Sequence, residues 1–375
     1  MNRKTCPEQG RRIIFVFAVL LVAAIALAAC GGAPGAAPSG AKDKVTLQSK
    51  WVPQAQFAGY YAAKDKGFYD AENLDVTIRP GGPDIVPEQV VASGQAQFGI
   101  DWLPSLLSAR DQNTPLVNVA QVYQKSGMLS IRWKDSKLSG VPDYKGKKIA
   151  VWLGGNEFEL YATLAKYNLD PKKDLEIVSQ PFDMNLILEK KVSAAAAMTY
   201  NELAQVLEVK NPATGKLYTM DDLDAVDFNK EGTAMLEDGV FTTEAFLKEA
   251  KNQDITVRFL KATMRGWIYC RDNQADCVDI VLKQGPTLPK GHQTWQMNEV
   301  NKLVWPSPNG VGVMDDKLFQ QTADIALKYG VIKKAADKAA YTSDYAKKAI
   351  SALSGTDANG SSFKPGTVTL TEGGK

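Results

Sequence analysis

VTLQSKWVPQAQFAGYYAAKDKGFY, residues 45–69, reads as a strand, a short polar and aromatic turn, and an amphipathic helix in immediate succession. Val45, Leu47 and Ser49 alternate with Thr46, Gln48 and Lys50, and the pattern stops at Trp51-Val52-Pro53 because proline has no N–H to give to a ladder. Ala58, Tyr61 and Ala62 then recur at helical spacing until Gly67 ends the run. In an open α/β sheet a ligand is met beyond the carboxyl ends of the strands, beside helix N-termini. That rule puts Trp51, Gln54, Gln56, Phe57 and Tyr60 at a binding site.

Outward from this unit the same grammar repeats. LDVTIR (74–79), QFGIDW (97–102) and LVNVAQVY (116–123) read as strands separated by helices, a pitch that fits parallel βα units with right-handed crossovers. MLSIRWK (128–134) reads as a strand leaving this layer. A second layer starts at KIAVWL (148–153), followed by the loop Gly154 to Glu159 and a helix, and continues through 176–179 and AAAAMT (194–199), which ends in Tyr200-Asn201-Glu202. The polar stretch 210–230 is expected as an excursion at the edge of that layer, and 233–241 as the return. Helices are expected over 243–252, 254–270, 276–283, 293–304 and 317–329. The fold class is therefore α/β with two lobes, 45–134 joined to 240–375, and 135–239, with a ligand cleft between them. This is the architecture of a type II periplasmic binding protein, whose lobes close about their crossings.

Residues 1–29 carry Arg3, Lys4, Arg11 and Arg12 ahead of an apolar run from Ile13 to Ala29 that leads into Leu27-Ala28-Ala29-Cys30-Gly31. Small residues before a single cysteine resemble the lipobox of bacterial lipoproteins. This implies cleavage before Cys30, a diacylglyceryl thioether on its sulfur and acylation of the new amine, with anchorage on the extracytoplasmic face of the cell membrane. An uncleaved anchor is the competing reading, but the run lies at the short end of what spans a bilayer. Residues 30–44 are rich in Gly, Ala, Pro and Ser and read as a tether. Removing the signal takes four of the 44 Lys and Arg and one of the 42 Asp and Glu, leaving 40 against 41. Nothing in that balance suggests nucleic acid. Cys270 and Cys277 remain, either bridged across a small loop between two helices or free and buried. With these and one histidine, a zinc site has too few of its usual ligands.

WVPQAQFAGYYAAKDKGFYDAENLDVTIRPGG, VVASGQAQFGIDW, DYKGKKIAVW and ATMRGWIY together resemble the solute-binding proteins of ABC importers in the branch related to thiamine-pyrimidine synthases. The resemblance covers nearly all of the chain after the signal. It implies a monomeric binding protein that delivers a small vitamin ligand to a membrane permease and its ATPase. Within the branch the likeness is greatest to a riboflavin-binding lipoprotein of a bacterial uptake system, with binders of hydroxymethylpyrimidine or formylaminopyrimidine nearby.

The residues weigh these ligands. Trp51, Phe57, Tyr60, Trp102, Trp152 and Tyr200 at strand ends suit a flat heteroaromatic ring, each stacking contact contributing roughly 0.5–1.5 kcal/mol beyond area burial. Gln56, Asn156, Glu157, Asp183, Asn201 and Glu202 offer donors and acceptors for ring edges or a polyol chain. Trp152 fits core or cleft equally, whereas Tyr61, Phe68, Trp133, Trp267, Trp295 and Trp305 fit core. Glu157 near a helix start would also complement the helix dipole. Gly154-Gly155 lacks the Lys and Ser/Thr of a phosphate loop. The synthases of this branch use a histidine, a pyridoxal-phosphate lysine and a cysteine-rich motif. Here the single histidine, His292, is expected far from the strand-end clusters and no cysteine cluster exists, so binding without catalysis or cofactor is expected.

Overall fold

The computed structural model describes residues 41–375, which from Lys42 onward form one compact unit. The signal segment and Cys30 lie outside the described residues. The strands are β1 Asp43–Gln48, β2 Leu74–Arg79, β3 Phe98–Trp102, β4 Leu116–Gln121, β5 Met128–Trp133, β6 Lys148–Val151, β7 Glu176–Ser179, β8 Ala194–Met198, β9 Leu223–Asp227 and β10 Asp238–Thr243. They form two five-stranded sheets of the same plan, β2-β1-β3-β10-β4 and β7-β6-β8-β5-β9. In each, the first three strands are parallel, and the strand that arrives by a crossing, β10 or β5, is antiparallel to both neighbours. β8, AAAAM, is buried throughout, as a central strand covered on both faces must be.

Strand pairing moves the expected lobe boundaries of 134/135 and 239/240. β5 belongs to the second sheet, so the chain crosses between Gln121 and Met128, and it returns ahead of Asp238. The stretch 210–230 is more than an excursion, because β9 within it forms the edge of the second sheet beside β5. Its three aspartate or alanine positions among two apolar ones hide the strand pattern. The tether ends earlier than residue 44: Asp43 already pairs in β1 and accepts from Arg258 at 2.8 Å.

Glu159 joins the two crossings. Its carboxylate accepts from Ser126 Oγ at 3.0 Å on the outgoing segment and from Met235 N at 2.8 Å on the return. Glu237 accepts from Gly127 N at 2.6 Å.

The C-terminal half returns to the first sheet and is largely helical, but in place of the expected helix over 243–252 the chain finishes β10 at Thr243, makes a short 3-10 turn Phe246–Lys248 and enters one continuous helix at Ala250. The helix Ala250–Asp272 packs across Ala58–Asp65, the helix that follows the Trp51 turn. A side chain at Gly59 would enter the Trp267 ring, and one at Gly266 would enter the Gly59 carbonyl, so the crossing requires glycine on both helices. Cys270 and Cys277 are bridged, with Cα atoms 5.4 Å apart, across the reversal into the helix Gln274–Gln284. Of the two readings left open by the sequence, the disulfide is the one observed.

Candidate ligand-binding chamber

The carboxyl ends of β1, β3, β6, β7 and β8 converge, and the turns that follow them enclose a chamber. The first sheet contributes Trp51, Gln54, Gln56 and Trp102; the second contributes Trp152, Asn156, Phe182, Met198, Tyr200, Asn201 and Glu202. β10, running the other way, brings its first residue, Asp238, to the same edge opposite Trp102. Trp51 packs edge-on to Trp152 and tilted to Phe182, both with centroids 6.3 Å apart, so the two sheets meet through aromatic faces. The space between these side chains that a water centre can occupy is only about 10 Å³. That is roughly one water's requirement. A tricyclic ring therefore enters only if the aromatics or the sheets move apart.

A chain of amides backs the chamber. Gln296 Nε2 donates to Gln54 Oε1 at 2.6 Å, Gln54 Nε2 to Gln56 Oε1 at 2.9 Å, and Gln56 Nε2 to Asp238 Oδ2 at 2.9 Å. Ala55 N shares its proton between Gln293 and Gln296, at 2.7 and 2.8 Å. The helix Lys290–Val304 thus fixes the Trp51 turn. Each amide oriented in this way keeps its remaining group directed.

His292, on the same helix, corrects the sequence reading that placed it far from the strand ends. It is 6% exposed, with Nδ1 3.0 Å from both Glu208 oxygens and Nε2 2.8 Å from Asn201 Oδ1. Both ring nitrogens lie within hydrogen-bond distance of side-chain oxygens. Asn201 passes the order on, its Nδ2 donating to Glu202 Oε1 at 2.6 Å, while Glu202 Oε2 accepts from Met198 N at 3.1 Å. Burial raises the Glu202 carboxyl to about 7, against the lowering by these donors. Burial likewise raises Asp238 to about 7. Two buried donors lining the chamber, Trp102 Nε1 and Asn156 Nδ2, have no hydrogen-bond partner among the described residues.

Trp51, Gln56, Trp102, Asn156, Tyr200 and Glu202 line the chamber where the sequence placed them, and the open position of Trp152 resolves to cleft. Four expected contacts fall elsewhere. Phe57 is fully buried in the core, because the short helix Ala55–Phe57 turns Gln56 to the chamber and its neighbour away. Tyr60, a turn later, packs edge-on to Trp267 with centroids 5.7 Å apart. Glu157 accepts from Gly155 N at 2.8 Å and faces a separate groove. Asp183 is exposed and accepts from Asn185 N at 2.9 Å, while the preceding Phe182 takes the inward position. The sequence reading missed Phe182, Met198, Gln293, Gln296 and the role of His292. The last three lie on one helix, Lys290–Val304.

Two sheets of order 2-1-3-n-4 with a chamber at their facing carboxyl ends define a two-lobed binding-protein fold of the kind used by solute receptors of ABC importers. The chain belongs to the NMT1/THI5-like family, which residues 54–276 match. It is 25% identical over 327 residues to the riboflavin-binding protein RibY of Chloroflexus aurantiacus, covering 84% of this chain and 88% of that one. It is 25% identical over 239 residues to the 4-amino-5-hydroxymethyl-2-methylpyrimidine phosphate synthase THI11 of Saccharomyces cerevisiae, covering 60% of this chain and 67% of that one. In structure it is similar to the alkanesulfonate-binding protein SsuA from Xanthomonas axonopodis pv. citri bound to MOPS. The TM-score is 0.60 at 16% identity, covering 82% of this chain and 100% of that one.

Proposed function

We propose that this chain is the solute-binding lipoprotein of an ABC importer, anchored through Cys30 outside the cell membrane, and that its chamber takes the isoalloxazine ring of riboflavin for delivery to a permease. The carrying observation is the chamber wall: Trp51, Trp102, Trp152, Phe182 and Tyr200 supply π faces, and Gln56, Asn156 and Asn201 supply amides. A flat ring with hydrogen-bonding edges uses both sets. The likeness to RibY over most of both chains supports the same ligand class. The protein acts by binding, not catalysis: its only histidine is held between Glu208 and Asn201 with no nucleophile against it.

Glu202 favours a second reading. A carboxylate at the chamber edge, held by two donors, suits the exocyclic amine of a thiamine-pyrimidine precursor, the compound class in the name of the yeast synthase. Calorimetric titration of the purified protein with riboflavin, hydroxymethylpyrimidine and formylaminopyrimidine separates the two. Saturable heat with riboflavin alone is the expected result; saturation by a pyrimidine alone would replace the flavin. Pyridoxal phosphate is expected to give no Schiff-base absorbance, and a saturable new band would restore an enzymatic reading.

A further inference from the structure

Behind the chamber, on the far side of the loop Gly154–Glu157, lies a second space of about 330 Å³. The loop is the partition: Asn156 faces the chamber, while Gly154, Gly155 and Glu157 face the groove. Two hydrogen bonds hold it against the first sheet, from Lys50 Nζ to Gly154 O at 3.1 Å and from Ser105 Oγ to Gly155 O at 2.6 Å. Gly155 has φ +129°, and a Cβ there would meet Ser105 Oγ at 2.6 Å, so this close approach needs glycine.

The far wall carries the neutral hydrogen-bonding groups of Gln89, Ser105, Ser108 and Gln112, set among Val86, Ala92, Ala109 and Phe158. Glu88 also lines it, 4% exposed and with Oε1 unpartnered. Burial, then the nearby charge of Asp101, raises the Glu88 carboxyl. Among the described residues, no lysine or arginine lines the groove. Lys50, which donates to Gly154 O on the loop, lies 3.4 Å from Asp101 Oδ2 in a buried ion pair, too far for a good hydrogen bond. A phosphate would meet Glu88 and Glu157 with no cation to balance it.

We propose that this groove is the subsite for an uncharged, hydroxyl-rich tail on a ligand whose ring occupies the chamber. The proposal rests on the flavin reading above and specifies it: the ribityl chain lies past the glycine loop, its hydroxyls replacing the Lys50 and Ser105 bonds to Gly154 and Gly155. Specificity then comes from two spaces, one reading the ring and the other the tail.

The test measures dissociation constants of the purified protein for riboflavin, for lumichrome, which keeps the three fused rings as the alloxazine tautomer and lacks the tail, and for riboflavin 5′-phosphate. Riboflavin is expected to bind about tenfold or more tighter than lumichrome, since the tail gains two or three net hydrogen bonds. The phosphate is expected to bind more weakly than riboflavin. Ser108→Leu, at a half-buried position on the groove wall, should weaken riboflavin about tenfold and leave lumichrome unchanged. Gln89→Leu, at an exposed position, should act in the same direction. Lumichrome binding as tightly as riboflavin, or riboflavin affinity untouched in both variants, would overturn the subsite. Phosphate binding as tight as riboflavin would overturn its uncharged character. If neither riboflavin nor lumichrome binds, the flavin reading itself fails and the subsite falls with it.

Discussion

Glu159 gives both carboxylate oxygens to the crossings between the sheets, whereas Trp102 Nε1 and Asn156 Nδ2 in the chamber have no hydrogen-bond acceptor among the described residues. Both regions bury polar groups, and burial without a partner costs on the order of 1–3 kcal/mol per group. At Glu159 that cost is offset internally, which ties the two crossings together, although Glu237 Oε2 on the return crossing has no partner among the described residues. In the chamber it is left for a ligand to offset. The difference separates the part of the molecule that sets lobe position from the part that chooses what is bound.

The comparison breaks most readily at Trp51. Trp51→Ala removes the ring that meets Trp152 and Phe182, and ligand affinity should fall on the order of 100-fold, as for a central aromatic anchor. The chain should still fold, because the side chain faces the chamber. Calorimetric titration beside a circular-dichroism melt checks both, and unchanged affinity would remove Trp51 from the contacts.

Glu159→Ala should do the reverse. It leaves Met235 N without its partner in the crossings, and the loss should be roughly 2 kcal/mol in urea unfolding. The pH dependence sharpens this point. Burial raises the Glu159 carboxyl to about 8 from 4.5, so between those values the folded chain holds a proton that the unfolded chain releases. Its stabilisation is complete below pH 4.5 and is lost as pH rises through 8. Asp238 and Glu202, raised by burial to about 7, act in the same sense. The urea midpoint should therefore drop between pH 5 and about 8.5, the window these shifts set, and Glu159→Gln should flatten part of that slope. An identical slope in wild type and Glu159→Gln would locate the titration elsewhere.

His292→Ala frees Asn201 and leaves Glu208 buried without its partner. Affinity should fall about tenfold through the misplaced Asn201–Glu202 pair, with His292→Gln recovering part of it. Equal losses in stability for both variants, with affinity intact, would make the histidine purely structural. The smallest effect is expected at Asp183→Ala, which removes one exposed turn bond: at most ~0.5 kcal/mol in stability and no change in affinity. A measurable loss of binding there would return Asp183 to the site.

How far the sequence was legible follows the same division. Strand ends beside proline or followed by aromatics marked Trp51, Trp102 and Tyr200, because a parallel strand has to end where its helix begins, and the ligand edge of the sheet is that edge. The resemblance carried by residues 51–102 holds for the family and the fold. Within a turn, though, a one-residue difference reverses which side chain faces inward. Gln56 faces the chamber and Phe57 the core, and Phe182 turns in where Asp183 was expected. Alternation carries that information along a strand, and it vanishes once the backbone leaves the extended state. Gln293, Gln296 and His292 were invisible for a different reason. Their partners at Ala55, Gln54 and Asn201 are sequence-distant, and only tertiary packing brings that helix to the Trp51 turn.

The most direct measurement is the visible emission of riboflavin titrated with the purified protein. Stacking on the chamber's tryptophans and tyrosine quenches a flavin, so saturable quenching at one site per chain is expected. Emission that stays constant through a stoichiometric excess of protein would contradict the chamber as a flavin site.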